Sequence, residues 1–203
     1  MMSTPGMNPE ALFIAFEQAI SQIVQLARST DGLTFRYLIE ARTRLSQALY
    51  LLRRFREVEL NDNEKTRQFL LEGHSDQPAR DDFALEHDTR NEVKKVYCEA
   101  FYYFAFQCKE ALECVDRQGG NLRLRFNFDP KGVRNVRNRL IAHPWKKGGI
   151  LTGTWAFGGA EGLVLEPTAS GPKGRGRLDA GLYPNAQEFI LALTRELTRV
   201  IDE

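Results

Sequence analysis

The chain has 203 residues, of which 42% are hydrophobic and 27% are charged, a composition ordinary for a globular protein with one substantial core. No stretch approaches the roughly 18 apolar residues that a membrane span needs. The N-terminal residues also lack the basic and apolar regions of a signal peptide. We therefore expect a cytoplasmic protein without a membrane contact.

Apolar residues at three- and four-residue spacings predict two helices in the first third of the chain. The first covers about residues 8–28, with Asn8 as its N-cap and Pro9 at its first helical position. The second covers about residues 33–60. The polar residues 61–82 that follow either extend this helix by a few turns or begin a loop.

A third helix, at about residues 81–117, is the longest and the most apolar. Its aromatic side chains lie on nearly every side of the helix: Tyr97, Phe101, Tyr102, Tyr103, Phe104 and Phe106. A helix that is apolar nearly all round is usually buried on more than one side. We therefore expect this helix to contribute both to the core and to a homodimer interface.

After this helix, residues 122–128 alternate between apolar and polar, which predicts a short strand or an extended segment. A basic helix is then predicted at residues 130–143, with Asp129 as its N-cap and Pro130 at its first position. Pro144 ends it, because the residue before a proline is pushed out of the α region.

The composition changes after the basic helix, and ten of the sixteen glycines fall within residues 148–181. Two short apolar runs separated by a Gly-rich turn predict a small β-hairpin there. A last helix is predicted at about residues 184–202. The whole pattern indicates a mostly α-helical single domain at 8–203, a helical bundle (8–147) with the hairpin and loop inserted before the last helix.

Positive charge is concentrated in residues 121–147. This segment holds eight basic residues and one acid, which gives +7, so the rest of the chain sums to −6 if the total is +1. Such a segment is expected to bind an anionic partner. The residues within it that we expect to bind nucleic acid are Lys131, Arg134, Arg139, Lys146 and Lys147.

The sequence Arg137-Asn-Arg-Leu-Ile-Ala-His143 resembles the signature motif of the HEPN superfamily. That motif is an arginine, often followed by Asn, and then a histidine after four to six residues. Here five residues separate Arg137 from His143, and Asn138 occupies the expected position. The run of helices that precedes the motif is also similar to the family's fold.

The resemblance implies a helical dimer in which Arg137 and His143 line a cleft between two protomers. Many members of the family are metal-independent ribonucleases, and others bind nucleotides or partner proteins without catalysis. The resemblance therefore implies an endoribonuclease in a toxin, defence or RNA-processing context. The expected partners are RNA or a nucleotide, a second copy of the chain and an antitoxin-like protein.

The residues support this chemistry on their own. RNA cleavage without a metal needs proton transfer at the 2′-hydroxyl and at the leaving 5′-oxygen, together with cations that hold the charged phosphorane. The imidazole of His143 is suited to either proton transfer. The guanidinium of Arg137 is suited to binding phosphate oxygens bidentately, and Asn138 would orient one of the two.

We expect no cofactor and no metal. Asp129 is the only acid of the basic segment, whereas two-metal nucleases need several carboxylates. The three cysteines form no CxxC pair, and His74 and His87 have no partner at a ligand spacing. These two histidines are expected to lie on the surface.

The spacing of the motif leaves alternatives open. On an ideal helix, Arg137 and His143 lie roughly 120° apart. They converge only if His143 lies past the last regular turn, or if a partner chain supplies one of them. A non-catalytic module that binds nucleotide, RNA or protein also fits the pattern, as does a helix whose arginines only extend into solvent.

Overall fold

The structure is a computed structural model that describes residues 8–74, 76–117, 124–138, 155–157, 163–165 and 181–202. Its helices are α1 (Pro9–Arg28), α2 (Gly32–Glu72), α3 (Gln77–Arg117), α4 (Lys131–Val136) and α5 (Leu182–Asp202). The prediction of a mostly α-helical protein is confirmed. None of the described helices is both long enough and apolar enough to cross a membrane.

Two three-residue strands, β1 (Trp155–Phe157) and β2 (Leu163–Leu165), pair in antiparallel register. The residues between and around them lie outside the described part of the chain. The predicted hairpin insertion at 148–181 therefore stays a prediction.

Helix α1 begins as predicted. The side chain of Asn8 accepts a hydrogen bond from the backbone N–H of Glu10 at 2.9 Å, and Pro9 is the first helical residue. The buried stripe of α1 packs against α2 and α5. These three helices enclose one side of the core.

Helices α2 and α3 form a long antiparallel hairpin. Each has 41 residues, so α2 continues well past residue 60, and α3 begins at Gln77 rather than near residue 81. The turns nearest the connection between the two helices, here called the distal half of the hairpin, are stabilised by contacts between the helices. These contacts include the stacked rings of Phe69 and Phe83, whose centroids are 4.1 Å apart. Gly73 is the C-cap of α2, and it has the left-handed conformation (φ 64°) that favours glycine at this position.

The apolar core lies in the proximal half of this hairpin, where α1 and α5 cover it. Phe16, Phe101 and Phe189 meet at its centre, with ring centroids 6.2 Å apart in both contacts of Phe16. The outer face of α3 is different, because Val96 is 59% exposed and Tyr103 is 40% exposed. The described residues of the same chain do not cover this apolar face.

Residues 124–128 are extended, but no described strand pairs with them. Leu124, Phe126 and Phe128 are buried and the residues between them are exposed, so the predicted alternation is confirmed. Side chains of α5 replace the neighbouring strand: Arg199 donates to the carbonyl of Arg125, and the carboxylate of Glu196 accepts from the backbone N–H of residue 127 at 3.1 Å. This segment leads directly into α4.

Candidate functional site

Helix α4 is held in place through its first turn. The backbone N–H groups of Lys131 and Gly132 donate to the two carboxylate oxygens of Glu188 on α5, each at 3.2 Å. The N-cap is Pro130, and Asp129 makes no capping bond, so the predicted N-cap was wrong by one residue. A carboxylate at a helix N-terminus is favourable because the helix dipole is positive there.

Gly132 permits this close approach of α4 and α5. A Cβ atom at this position would lie 2.1 Å from Oδ1 of Asn185 and 2.8 Å from a carboxylate oxygen of Glu188. Asn185 is buried and donates from Nδ2 to the hydroxyl of Tyr102 on α3 at 2.9 Å. The start of α4 is therefore fixed against both α5 and α3.

Two of the residues predicted to bind nucleic acid lie on the outer part of α4. Arg134 donates to the carboxylate of Asp129 at 2.7 Å, and both side chains are about two-fifths exposed. Lys131 is exposed. Because Asp129 already pairs with Arg134, this cation is less available to a ligand than its position in the sequence suggests.

Arg137 is placed differently. Its Cζ atom lies 4.4 Å from the centroid of the Phe106 ring on α3, and its Nη1 donates to Oδ1 of Asn138 at 3.0 Å. No carboxylate pairs with Arg137 in the part of the chain that the structure describes. A guanidinium over an aromatic face keeps its charge and most of its N–H donors.

Arg137 is the C-cap of α4 and has right-handed helical dihedral angles (φ −55°, ψ −49°). The roughly 120° separation of Arg137 and His143 expected for an ideal helix stays a prediction, because residues 139–143 lie outside the described part of the chain.

The remaining predicted site residues, Arg139, His143, Lys146 and Lys147, lie outside the described residues. The convergence of His143 with Arg137 stays a prediction.

A further cation, which sequence reasoning missed, approaches the same Phe106 ring as Arg137. Lys109 on α3 is 8% exposed, and its Nζ is 5.9 Å from the centroid of the same Phe106 ring. It donates to the carboxylate of Glu113, one turn further along α3, at 2.5 Å. The available signal was its position, because Lys109 lies between Ala105 and Leu112 on the buried stripe of the helix.

A shallow cavity of about 440 Å³ adjoins this region. It is lined by Glu113, Asp116, Arg125, Phe126 and Asn127. Glu113 belongs both to the cavity wall and to the ion pair with Lys109, so the cavity lies next to Lys109.

A second charged cluster occupies the distal part of the α2–α3 hairpin. Asp62 is 3% exposed and accepts hydrogen bonds from His87 at 2.9 Å, Arg90 at 2.7 Å and Lys94 at 2.5 Å. Burial by itself would raise the pKa of Asp62, but the bonds from Lys94, Arg90 and His87 outweigh it and lower this pKa to about 2. Asp62 is therefore a structural anion at neutral pH.

The two described histidines belong to this distal region. A row of rings runs from His74 through Phe69 and Phe83 to His87, with successive centroids 5.1, 4.1 and 5.9 Å apart. His74 lies on the surface as predicted, whereas His87 is half-buried against Asp62. Within the described residues, no three His, Cys, Asp or Glu side chains form a group that could hold a metal ion.

No family model matches the chain, and no curated protein or solved structure matches it either. The resemblance to the HEPN superfamily therefore rests on the Arg137–His143 motif of the sequence and stays a prediction.

Proposed function

We propose that this protein is a metal-independent endoribonuclease of HEPN type, acting in a toxin, defence or RNA-processing context. The observation that carries the proposal is the placement of Arg137 within the motif. Its guanidinium is fixed by Phe106 and Asn138 and has no carboxylate partner among the described residues. This arrangement supports binding of an anion much better than a solvated arginine would, because the side chain is already ordered.

In the proposed reaction, Arg137 binds the phosphate oxygens and stabilises the charge that develops in the transition state. Asn138 holds the guanidinium through the 3.0 Å hydrogen bond. His143 takes the proton from the attacking 2′-hydroxyl or gives one to the leaving 5′-oxygen, and water carries out the other of these two proton transfers. The roles of His143 and Asn138 follow from the motif and belong to the proposal.

We place the reaction at the interface of a homodimer. The exposed apolar side chains of Val96 and Tyr103 on the outer face of α3 support such an interface, because monomers rarely leave contiguous apolar surface uncovered. Sedimentation of Val96→Asp and Tyr103→Asp variants tests this point. The wild-type chain should sediment as a dimer and both variants as monomers, and monomeric wild type would contradict the proposal.

The catalytic proposal is tested by cleavage of single-stranded RNA in excess EDTA at low ionic strength. The wild type should cleave, and Arg137→Ala and His143→Ala should each lose about 10²-fold or more in rate. Arg54→Ala is the matched control, since it removes an exposed arginine that pairs with Glu57 on α2, away from the basic segment. Equal rates in all four proteins, or a loss of cleavage in EDTA, would contradict the proposal.

A non-catalytic module that binds RNA, a nucleotide or an antitoxin-like protein relies on the same observation, since an ordered and unneutralised Arg137 also favours binding without turnover. RNA binding that weakens with salt and with Arg137→Ala, without any cleavage, would favour this second candidate.

A further inference from the structure

Two cationic side chains from different helices approach the same aromatic ring. The Cζ of Arg137 on α4 is 4.4 Å from the centroid of Phe106, and the Nζ of Lys109 on α3 is 5.9 Å from it. We propose that Arg137 and Lys109 form a two-cation clamp that binds one phosphodiester group of RNA beside Phe106. The choice of RNA as ligand rests on the proposed function.

The ring orders these cations without neutralising them. The face of an aromatic ring attracts a cation through its quadrupole, but it carries no net charge. Glu113 is the one carboxylate that pairs with either cation among the described residues. Two positive groups and one negative group leave an excess of +1 beside the ring, which an anionic ligand would balance.

Both cations keep donors for such a ligand. An ammonium has three N–H donors, and Lys109 is seen to use one on Glu113. A guanidinium has five, and Arg137 is seen to use one on Asn138. The side chain of Lys109 is 10% exposed, and its Nζ donates to Glu113, whose side chain is 38% exposed and lines the cavity.

The order of groups along α3 gives a path for the RNA strand. Phe106 with Arg137 comes first, Lys109 follows one turn later, and Glu113 with the cavity of about 440 Å³ follows after another turn. A phosphate held by the two cations would therefore place the next nucleotide at this cavity. Arg125, Phe126 and Asn127 line its other wall, and the guanidinium of Arg125 lies 3.7 Å from the carboxylate of Asp116, which also lines the cavity.

Binding of a fluorescein-labelled 12-nucleotide RNA, measured by anisotropy at 50 and 200 mM salt, tests the clamp. For Lys109→Gln, the ratio of the dissociation constants at the two salt concentrations should fall by a factor of about 2.5, which corresponds to one lost phosphate contact on a single strand. Lys95→Gln is the matched control, because it removes a lysine that is paired with Glu92 elsewhere on α3. Lys109→Arg should restore the salt dependence.

Glu113→Gln distinguishes the clamp from a purely structural ion pair. If Lys109 serves only to stabilise α3, removing its carboxylate partner should tighten RNA binding no more than Asp116→Asn does, which removes a carboxylate of the same cavity that pairs with Arg125 instead. If Lys109 binds phosphate, Glu113→Gln also frees its ammonium and should tighten binding at 50 mM salt more than Asp116→Asn does. This variant keeps the lysine stem in the core, so it remains informative even if Lys109→Gln does not fold.

The outcomes separate the clamp from the nuclease proposal. Salt-dependent binding that requires Lys109, without cleavage by the wild type, supports the clamp and overturns the nuclease. Cleavage that requires Arg137, with RNA binding by Lys109→Gln equal to that of Lys95→Gln, overturns the clamp and leaves the nuclease standing. Binding by a folded Glu113→Gln variant that is no tighter than binding by Asp116→Asn also overturns the clamp.

Discussion

The two charged clusters of this protein differ in what their cations face. In the distal hairpin, three cationic or hydrogen-bonding side chains surround one buried carboxylate, that of Asp62. At the end of α4, Arg137 and Lys109 lie against an aromatic ring with one half-exposed carboxylate, Glu113, beside Lys109. In the first cluster the cations converge on a buried carboxylate, whereas in the second they lie against a ring that carries no net charge.

This difference indicates which cluster stabilises the fold and which one is suited to a ligand. Taking a carboxylate out of water is costly, and Asp62 remains ionised because its partners are within hydrogen-bonding distance on the facing helix. Those bonds also determine the register of α2 against α3. An aromatic ring orders a cation without satisfying its charge, which leaves Arg137 able to bind an external anion.

The largest expected effect on stability comes from removing the buried carboxylate of the distal cluster. Asp62→Ala removes the carboxylate that pairs with buried Arg90 and Lys94, and should lower the free energy of unfolding by about 3–5 kcal/mol. Urea denaturation measures this change. Glu86→Ala is the control, because Glu86 pairs with Arg90 from an exposed position and should cost less than about 1 kcal/mol. Equal effects of the two substitutions would mean that burial does not distinguish this cluster.

An intermediate effect is expected from acid. The pKa of Asp62 is lowered from 3.8 to about 2 in the folded protein, so its contribution to stability is fully present above the unfolded-state pKa and is lost as the pH falls towards 2. The loss amounts to about 2 kcal/mol, at 1.36 kcal/mol for each pKa unit. Denaturation midpoints between pH 6 and pH 2 measure it. The Asp62→Asn variant should lose this part of the pH dependence, and an unchanged slope would assign it to other groups.

The smallest effect is expected on the outer face of α4. Arg134→Ala breaks the ion pair with Asp129, in which both side chains are about two-fifths exposed, and should cost at most about 1 kcal/mol of unfolding free energy. Thermal unfolding measures this change, with Asp129→Ala as the reciprocal variant. A loss of several kcal/mol of unfolding free energy would show that this exposed ion pair stabilises the protein as much as the buried Asp62 cluster does. It would remove the contrast between the two regions.

Local patterns in the sequence predicted much of the fold. The cap at Asn8 and the apolar stripes of α1 and α5 are short-range signals, and the helices formed close to where these signals place them. The distal half of the hairpin was less predictable. Its stability comes from pairs such as Phe69 with Phe83 and Asp62 with Arg90, which join residues that are distant in the sequence.

The candidate site was predictable in part. Charge and motif spacing pointed to Arg137 and Asn138, but nothing local shows that Phe106 lies under the guanidinium, because that contact joins α3 to α4. Lys109 was missed since a lysine is usually assigned to solvent. Its place on an apolar stripe was the signal that it reaches a buried position.

Two residues that are far apart in the sequence, Arg137 and Gly181, contact the same part of α3. Arg137 packs on Phe106, and the carbonyl of Gly181 accepts a hydrogen bond from the hydroxyl of Tyr102, the neighbour of Phe106 four residues back on the helix. This one turn of α3 therefore joins the end of α4 to the start of α5, so that a substitution at either aromatic residue would disturb both helices together.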